Sequence, residues 1–466
     1  MHDVLALSGT QQARLIRERA ISSVDLVTAE LTRIDEVNPQ LNAAIEILRE
    51  SALAAAREVD EKKRTGPLAG VPFSIKDSIE VAGTVCSAGT LGYRNNAPSQ
   101  SDATLVARLR AAGAIPVART NLPDLLFAFE SDNLIFGRTN NPYNLDRTSG
   151  GSSGGEAALI AACGSPFGLG SDAAGSVRVP AHYCGITTIK PTSGRLARTG
   201  HVPPAGGWIE MLWQIGPMAR RVEDLWTMMP ILLGTDGADR TVVPMPFAGR
   251  VDHALSKLRV AFFTDNGILA ADADTKATVK AAAAALADAV QSVEERRPTM
   301  FEHSMIERSY DLEMELLGID GGDGLRAFAL SIGSHQTHPL LEGWLSKLES
   351  CRTDLAGFAK YWSALDEFRA SMYGFLNHFD VLLSPVSFSP AIPHGTSIAD
   401  HVFPGFSYTM THNLTGWPAA VVRCGTSGEG LPIGVQIATA PWREDIALAV
   451  AEYLESACGG WQPTSL

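Results

Sequence analysis

Three short stretches of this chain carry residues suited to acyl-transfer chemistry. The first is Gly150-Gly151-Ser152-Ser153-Gly154-Gly155, where serine hydroxyls sit among glycines that let the backbone fold tightly and approach other groups closely. Taken alone, such a tract also reads as a flexible surface loop. The second is Gly170-Ser171-Asp172-Ala173-Ala174-Gly175-Ser176, which runs on through Val177-Arg178-Val179-Pro180. Small residues ending in a serine can turn consecutive backbone N–H groups toward one point, the geometry of an oxyanion hole. A plain turn between strand and helix is the alternative. The third is Lys76, at the end of an apolar run that includes Phe73 and Ile75. A lone lysine there ordinarily snorkels to solvent. If buried, it sheds its proton more readily, and a neutral amine can activate a serine hydroxyl without histidine.

These residues need elements to hold them. Val71 to Ile75 reads as a short strand delivering Lys76-Asp77 at its end. The Gly/Ser tract runs straight into a helix-forming stretch, Glu156 to Ala162. Upstream, Ser22-x-x-Asp25 resembles a capping box, and Val27, Leu31 and Ile34 follow at helical spacing until Asn38-Pro39. A second helical stretch runs to about Glu61. Leu105, Val106 and Leu109 share a helical face that Gly113 stops, and Ala114 to Ala118 reads as a buried strand. Further strands are expected at Leu258–Thr264, Phe379–Leu383, Ala419–Arg423 and Ile433–Ala438. Asp274 is the expected cap of a helix carrying Val279, Leu286, Val290 and Val293 and stopped by Pro298. Residues 300–375 read as helix-rich, and an amphipathic helix from Glu444 closes the chain. Strands alternating with helices predict an α/β fold, a sheet covered by helices on both faces.

Composition narrows the function classes. At 466 residues, length alone gives a prior of about three domains, a prior that large single-sheet α/β enzymes break. Apolar residues at 45% and charged residues at 19% exclude a disordered or fibrous chain. With 38 basic and 51 acidic residues the net charge is −13, which argues against a nucleic-acid partner, since that affinity comes from clustered Lys and Arg. The six cysteines are scattered with no C-x-x-C pair, a pattern that suits reduced thiols in a cytoplasmic protein and no metal site. The start, Met-His-Asp-Val, has no basic stretch followed by an apolar one, so no signal peptide or membrane anchor is expected. The charge-free stretch from Val402 to Val422 holds two prolines, His412, Asn413 and three threonines, and so fails as a transmembrane segment.

The three stretches together resemble the amidase signature family. The likeness rests on Gly-Gly-Ser-Ser-Gly-Gly, then Gly175-Ser176-Val177-Arg178-Val179-Pro180, with Ser74-Ile75-Lys76-Asp77 upstream. It continues through Cys184-Gly185, Lys190-Pro191-Thr192, Asn413 to Pro418 and Gly430 to Gln436, and weakens over roughly 220–375. Phe127 to Asn133 and Gly155 to Ile160 look most similar to the fatty acid amide hydrolase branch. The resemblance implies a single domain over 1–466 built on one large mixed sheet. Within it would lie an N-terminal helical segment (1–62), a signature core (63–215), a variable helix-rich region (about 220–375) and a C-terminal part of the core (376–466). It implies Ser176 as nucleophile, Ser152 as bridging serine after a cis Gly151–Ser152 peptide, and Lys76 as base. Backbone N–H groups of Ala173, Ala174, Gly175 and Ser176 would form the oxyanion hole. Ser153, Asp172 and Arg178 would brace the turn, and Leu126, Phe127 and Ala128 would line the acyl side. No metal or organic cofactor is implied, the partner is a small-molecule amide, and a homodimer is compatible with it.

Two departures stand out. Ala174 replaces a usual glycine and would be strained if its φ were positive, and Ser171 replaces a common threonine, a change that looks minor. Leu340, Leu341, Trp344, Leu345 and Leu348 form an apolar helical face, expected to be buried packing rather than a membrane-facing cover.

Other readings compete. Gly150-x-Ser152-x-Gly154 also matches the nucleophile elbow of α/β-hydrolases, which needs a strand directly before the serine and a partner histidine. Here residues 142–149 look turn-like, and His378, His394 and His412 have no distinguishing context. Carbamate or ester hydrolysis on the same serine, or service as the catalytic component of a tRNA-dependent amidotransferase, are the further alternatives.

Overall fold

The computed structural model describes residues 2–204, 206–250, 255–300, 303–304 and 306–466. Its centre is an eleven-stranded sheet. From one edge to the other the strands are Ala44–Ile47, Ile115–Thr120, Pro72–Lys76, Phe167–Asp172, Gln214–Ala219, Thr187–Lys190, Ala419–Thr426, Pro432–Thr439, Val381–Pro385, Arg259–Phe262 and Ser292–Glu295. Pro72–Lys76 runs parallel to both its neighbours, as does Arg259–Phe262 at the far end, whereas the middle of the sheet is antiparallel. The fold is the mixed α/β sheet expected from the sequence. The strands Pro72–Lys76, Phe167–Asp172 and Pro432–Thr439 are buried along their whole length, because helices cover both faces.

One face is packed by the helices Ser23–Leu41 and Gly154–Ala161. Val27, Leu31 and Ile34 of the first meet Ala157, Ala158 and Leu159 of the second in one core. The other face is closed by Val222–Leu232, Ala273–Leu286 and Glu444–Cys458, whose Leu225, Val279 and Leu448 share a second core with Phe73 and Ile75. Gly154–Ala161 is built entirely of small or apolar residues and Glu156, and all eight are buried. At Gly155 even a Cβ would collide with the backbone of Asn121, so only glycine lets the helix start so close to the sheet.

Several boundaries differ from expectation. Ser22 Oγ accepts the Asp25 N–H at 2.9 Å, but the helix continues past Pro39 to Leu41 and ends at Asn42 in the left-handed conformation. Near a helix end a proline sacrifices only one hydrogen bond, so it does not stop the chain. The Ala273–Leu286 helix is capped by Asp272, not Asp274, through the Thr275 N–H at 2.7 Å. It ends well before Pro298, and Val293 instead lies in the edge strand Ser292–Glu295, paired with Arg259–Phe262. The helix-rich region 220–375 supplies two strands of the central sheet, one of them, Arg259–Phe262, within the expected Leu258–Thr264, the other, Ser292–Glu295, unexpected. The turn-like stretch before the Gly/Ser tract contains a strand, Asn144–Thr148, but it pairs with Asn140–Asn141 in a separate hairpin outside the central sheet. That is not the sheet strand a nucleophile elbow requires. Among the described residues no helix is long and apolar enough to cross a membrane.

Candidate active site

Lys76 ends a central strand and is fully buried. Beside it, Arg119 Nε donates to Asp77 Oδ1 at 2.8 Å and anchors the strand's exit. A hydrogen bond of 2.6 Å joins Lys76 Nζ to Ser152 Oγ, and Nζ also reaches Ser171 Oγ at 3.1 Å and the Ser171 carbonyl at 3.4 Å. Burial pulls the Lys76 pKa down to about 7, against the opposing pull of Asp172 and Glu156. Near neutral pH a large share of this amine is therefore uncharged and able to take a proton. Ser171 touches the lysine directly, through a hydroxyl that a threonine would also carry.

The Gly151–Ser152 peptide bond is cis, as the resemblance implied. Ser131, which the sequence did not single out, braces this loop: its hydroxyl lies 3.0 Å from the Gly150 carbonyl and accepts the Gly154 N–H at 2.9 Å. Ser153 joins the two serine-bearing stretches. Its N–H donates to the Ser176 carbonyl at 3.1 Å, and its hydroxyl donates to the Ser171 carbonyl at 3.3 Å.

Ser176 sits on the turn between the Phe167–Asp172 strand and the Arg178–Tyr183 helix. Asp172 organises that turn. Its carboxylate accepts from Gly175 N–H at 2.9 Å, Val177 N–H at 3.2 Å, Arg178 at 2.9 and 3.0 Å, and Asn413 at 2.9 Å. Burial alone would favour its neutral form, but the Arg178 guanidinium overrides this and holds the carboxyl well below the usual range. Arg178 spends its remaining donors on the Thr409 carbonyl, Gln436 and Asn413. Asn413 and Thr409 are positioning residues that the sequence left without a role.

The oxyanion-hole expectation needs one correction. The Gly175 N–H is taken by Asp172, whereas those of Ala173, Ala174 and Ser176 have no hydrogen-bond partner among the described residues. The anticipated strain at Ala174 does not arise, because its φ is not positive. Gly175 makes the reversal instead, at φ 131°, where a Cβ would strike Thr409.

Ser152 and Ser176 open into one cavity of about 140 Å³, walled mainly by Leu126, Phe127, Ile209, Leu212, Trp213 and Trp344. Leu126 and Phe127 line it. Ala128 does not; Leu125 takes its place, because the left-handed turn at Leu125 and Leu126 leaves Ala128 packed behind the wall, its carbonyl against Gly151. Among the described residues, Asp172 is the one charged lining side chain, and Arg178 neutralises it. Leu340, Leu341, Trp344, Leu345 and Leu348 are buried, with Trp344 against Phe127 and Phe129 at ring distances of 5.7 and 5.1 Å. His201, another residue the sequence did not single out, also lines the cavity, 3.0 Å from Ser171 Oγ.

A buried lysine on a cis-linked serine, beside a second serine on a glycine turn, is accompanied by a match of residues 25–448 to the family model described as Amidase. The chain belongs to the amidase family. It is an amide-cleaving hydrolase of the amidase signature type. Human fatty-acid amide hydrolase 2 is 32% identical, over 98% of this chain and 90% of its own length. A glutamyl-tRNA(Gln) amidotransferase component from Carboxydothermus hydrogenoformans is 34% identical, over 96% of each chain. Among solved amidase structures, 6-aminohexanoate cyclic dimer hydrolase complexed with substrate superposes with a TM-score of 0.86 at 28% identity, covering 99% of both chains. A fatty acid amide hydrolase gives 0.88 at 26% identity, covering 98% of this chain and 86% of the other.

Proposed function

We propose that this amidase hydrolyses the C–N bond of a small, neutral, hydrophobic or aryl amide through an acyl-enzyme on Ser176, and that the chain works as a single domain in the cytoplasm. Neutral Lys76 takes the proton of Ser152, Ser152 takes that of Ser176, and Ser176 attacks the carbonyl. The oxyanion faces the N–H groups of Ala173, Ala174 and Ser176. The same chain returns a proton to the leaving nitrogen, because an amide anion is too poor a leaving group to depart. Water then attacks the ester and frees Ser176. General acid–base transfer of this kind contributes about 10²–10⁴-fold, and each oxyanion donor ~10²–10³-fold.

The observation that carries this reading is the 2.6 Å contact between Ser152 and a buried lysine that titrates near 7. The cavity supports the substrate class. A site of roughly its size, about 150 Å³, admits a benzene ring when its walls are apolar. Among the described residues its lining offers no unpaired charge to grip the amino-acid end of a glutamine, which weighs against the substrate of an amidotransferase. Esters and carbamates of similar size fit the same serine chemistry.

A panel of aryl, short alkyl, long alkyl and primary amides, assayed with the wild type and with Ser176→Ala, tests the proposal. Hydrolysis of aryl or short alkyl amides, lost in the variant and accompanied by an acyl adduct on Ser176 by intact mass, is expected. A wild type inactive on the whole panel overturns it.

A further inference from the structure

A neutral lysine amine has two N–H groups and one lone pair, and it is a useful base only if the lone pair faces the serine it must deprotonate. The groups around Lys76 decide which way it faces. His201 Nδ1 lies 3.0 Å from the Pro203 carbonyl, which can only accept, so Nδ1 carries the ring's hydrogen. Burial keeps the imidazole neutral, with its pKa near 3; the Pro203 carbonyl opposes this, and the Lys76 and Arg198 charges reinforce it. Nε2 is then a bare acceptor. Two hydroxyls face its single lone pair, Ser171 Oγ at 3.0 Å and Ser78 Oγ at 3.1 Å; they share it, and a hydroxyl that bonds to it can only donate. The ring is held in place by Trp213, stacked at 4.4 Å between centroids.

With its proton committed to His201, the Ser171 hydroxyl shows Lys76 only lone pairs. It takes one amine N–H at 3.1 Å, and the Ser171 carbonyl takes the other at 3.4 Å. The amine's lone pair is left for Ser152 at 2.6 Å. Were Ser171 free to rotate, its hydroxyl would compete with Ser152 for that lone pair.

We propose that His201 is a positioning residue for the base: its Nε2 holds the Ser171 proton and so turns the Lys76 lone pair toward Ser152. This rests on the reading of Lys76 as base. The remaining charged groups that face the amine, Asp172 on its strand and Glu156 on its helix, act on its charge and not on its direction.

The test is a double-mutant cycle read as kcat, KM and pH profile, using an anilide that the amide panel shows to be cleaved. His201→Phe removes the acceptor. It should lower kcat by at least ~10-fold, the scale on which small misalignments act, with KM within about twofold. It should also move the acid limb to lower pH, since Ser171 then donates to the neutral amine and stabilises it. His201→Gln, whose amide oxygen can accept from Ser171, should retain most of the activity. In a Ser171→Ala background, His201→Phe should add no further loss beyond about twofold. Should the phenylalanine variant fail to fold by thermal melt, His201→Leu takes its place in the same cycle. Equal losses in both backgrounds, an unmoved acid limb, or a glutamine variant as poor as the phenylalanine one would overturn the role. Lys76→Ala and Ser176→Ala are run alongside. If they stay active, the base reading itself has failed; if they are dead while the His201 losses are additive, only the positioning role has.

Discussion

Arg178 grips Asp172 through two parallel hydrogen bonds, Nε to Oδ2 at 3.0 Å and Nη2 to Oδ1 at 2.9 Å, with both side chains fully buried. The same carboxylate holds the backbone N–H groups on either side of Ser176. The pair is therefore part of the mounting of the Ser176 turn.

Breaking this pair should cost both stability and rate. Arg178→Ala leaves an unpaired buried carboxylate, worth about 3–5 kcal/mol. Arg178→Lys cannot reproduce the planar fork and should lower kcat ~100-fold through a displaced Ser176. Urea denaturation and steady-state kinetics check both. Wild-type kcat in Arg178→Lys would show that the mounting does not need the fork.

Activity should rise with pH through about 7 as Lys76 loses its proton. Stability follows the same group. Between about 7 and the ordinary lysine value of 10.5, the unfolded chain holds a proton on Lys76 that the folded chain has released. The unfolded state binds more protons there, so this group makes unfolding harder as pH rises across that window. Lys76→Met should abolish turnover, reduce the slope of that part of the stability–pH curve, with the remainder coming from Lys190, which burial also draws down to about 7, and leave a protein at least as stable, because a buried amine has been exchanged for an apolar chain. The checks are rate–pH profiles and thermal melts from pH 6 to 10.

Positions 174 and 175 should respond oppositely. Gly175→Ala places a Cβ against Thr409 at a φ of 131° and should cost about 1–3 kcal/mol, with a large loss of kcat. Ala174→Gly should retain activity within a few-fold, because residue 174 needs no special backbone conformation. Burst kinetics of Ser176 acylation separate the two.

Substrate size should follow the cavity. Benzamide-like or short acyl groups should have higher kcat/KM than acyl chains of ten or more carbons. Leu317→Ala, which trims a partly buried residue of the wall, should move the optimum toward longer chains. An unchanged optimum would show that the acyl group is held elsewhere.

Much of this site could be read from residues. Lys76, Ser152 and Ser176 lie in long, specific motifs, and the strand ending at Lys76 and the helix opening at Gly154 follow from local pattern and glycine content. His201, Thr409 and Asn413 were not legible in the same way. They meet the site through contacts between segments remote in sequence, and neither periodicity nor composition marks a residue on a loop as facing a lysine. The errors at Pro39 and at residues 292–295 have a related origin. Local rules stop a helix at proline and extend one through Val290 and Val293, whereas position in the last turn and pairing with Arg259–Phe262 decided the outcome.

The clamp from the Ser407–Leu414 helix has a consequence for biosynthesis. Thr409 reaches the Ala174 carbonyl across 235 positions, and Asn413 reaches Asp172 across 241. While the chain is still emerging from the ribosome, Ser176 has been made but the residues that fasten its turn have not. The turn around Ser176 gains these two contacts only once residues 407–414 have been translated, and a product cut short before residue 407 would carry Lys76, Ser152 and Ser176 without them.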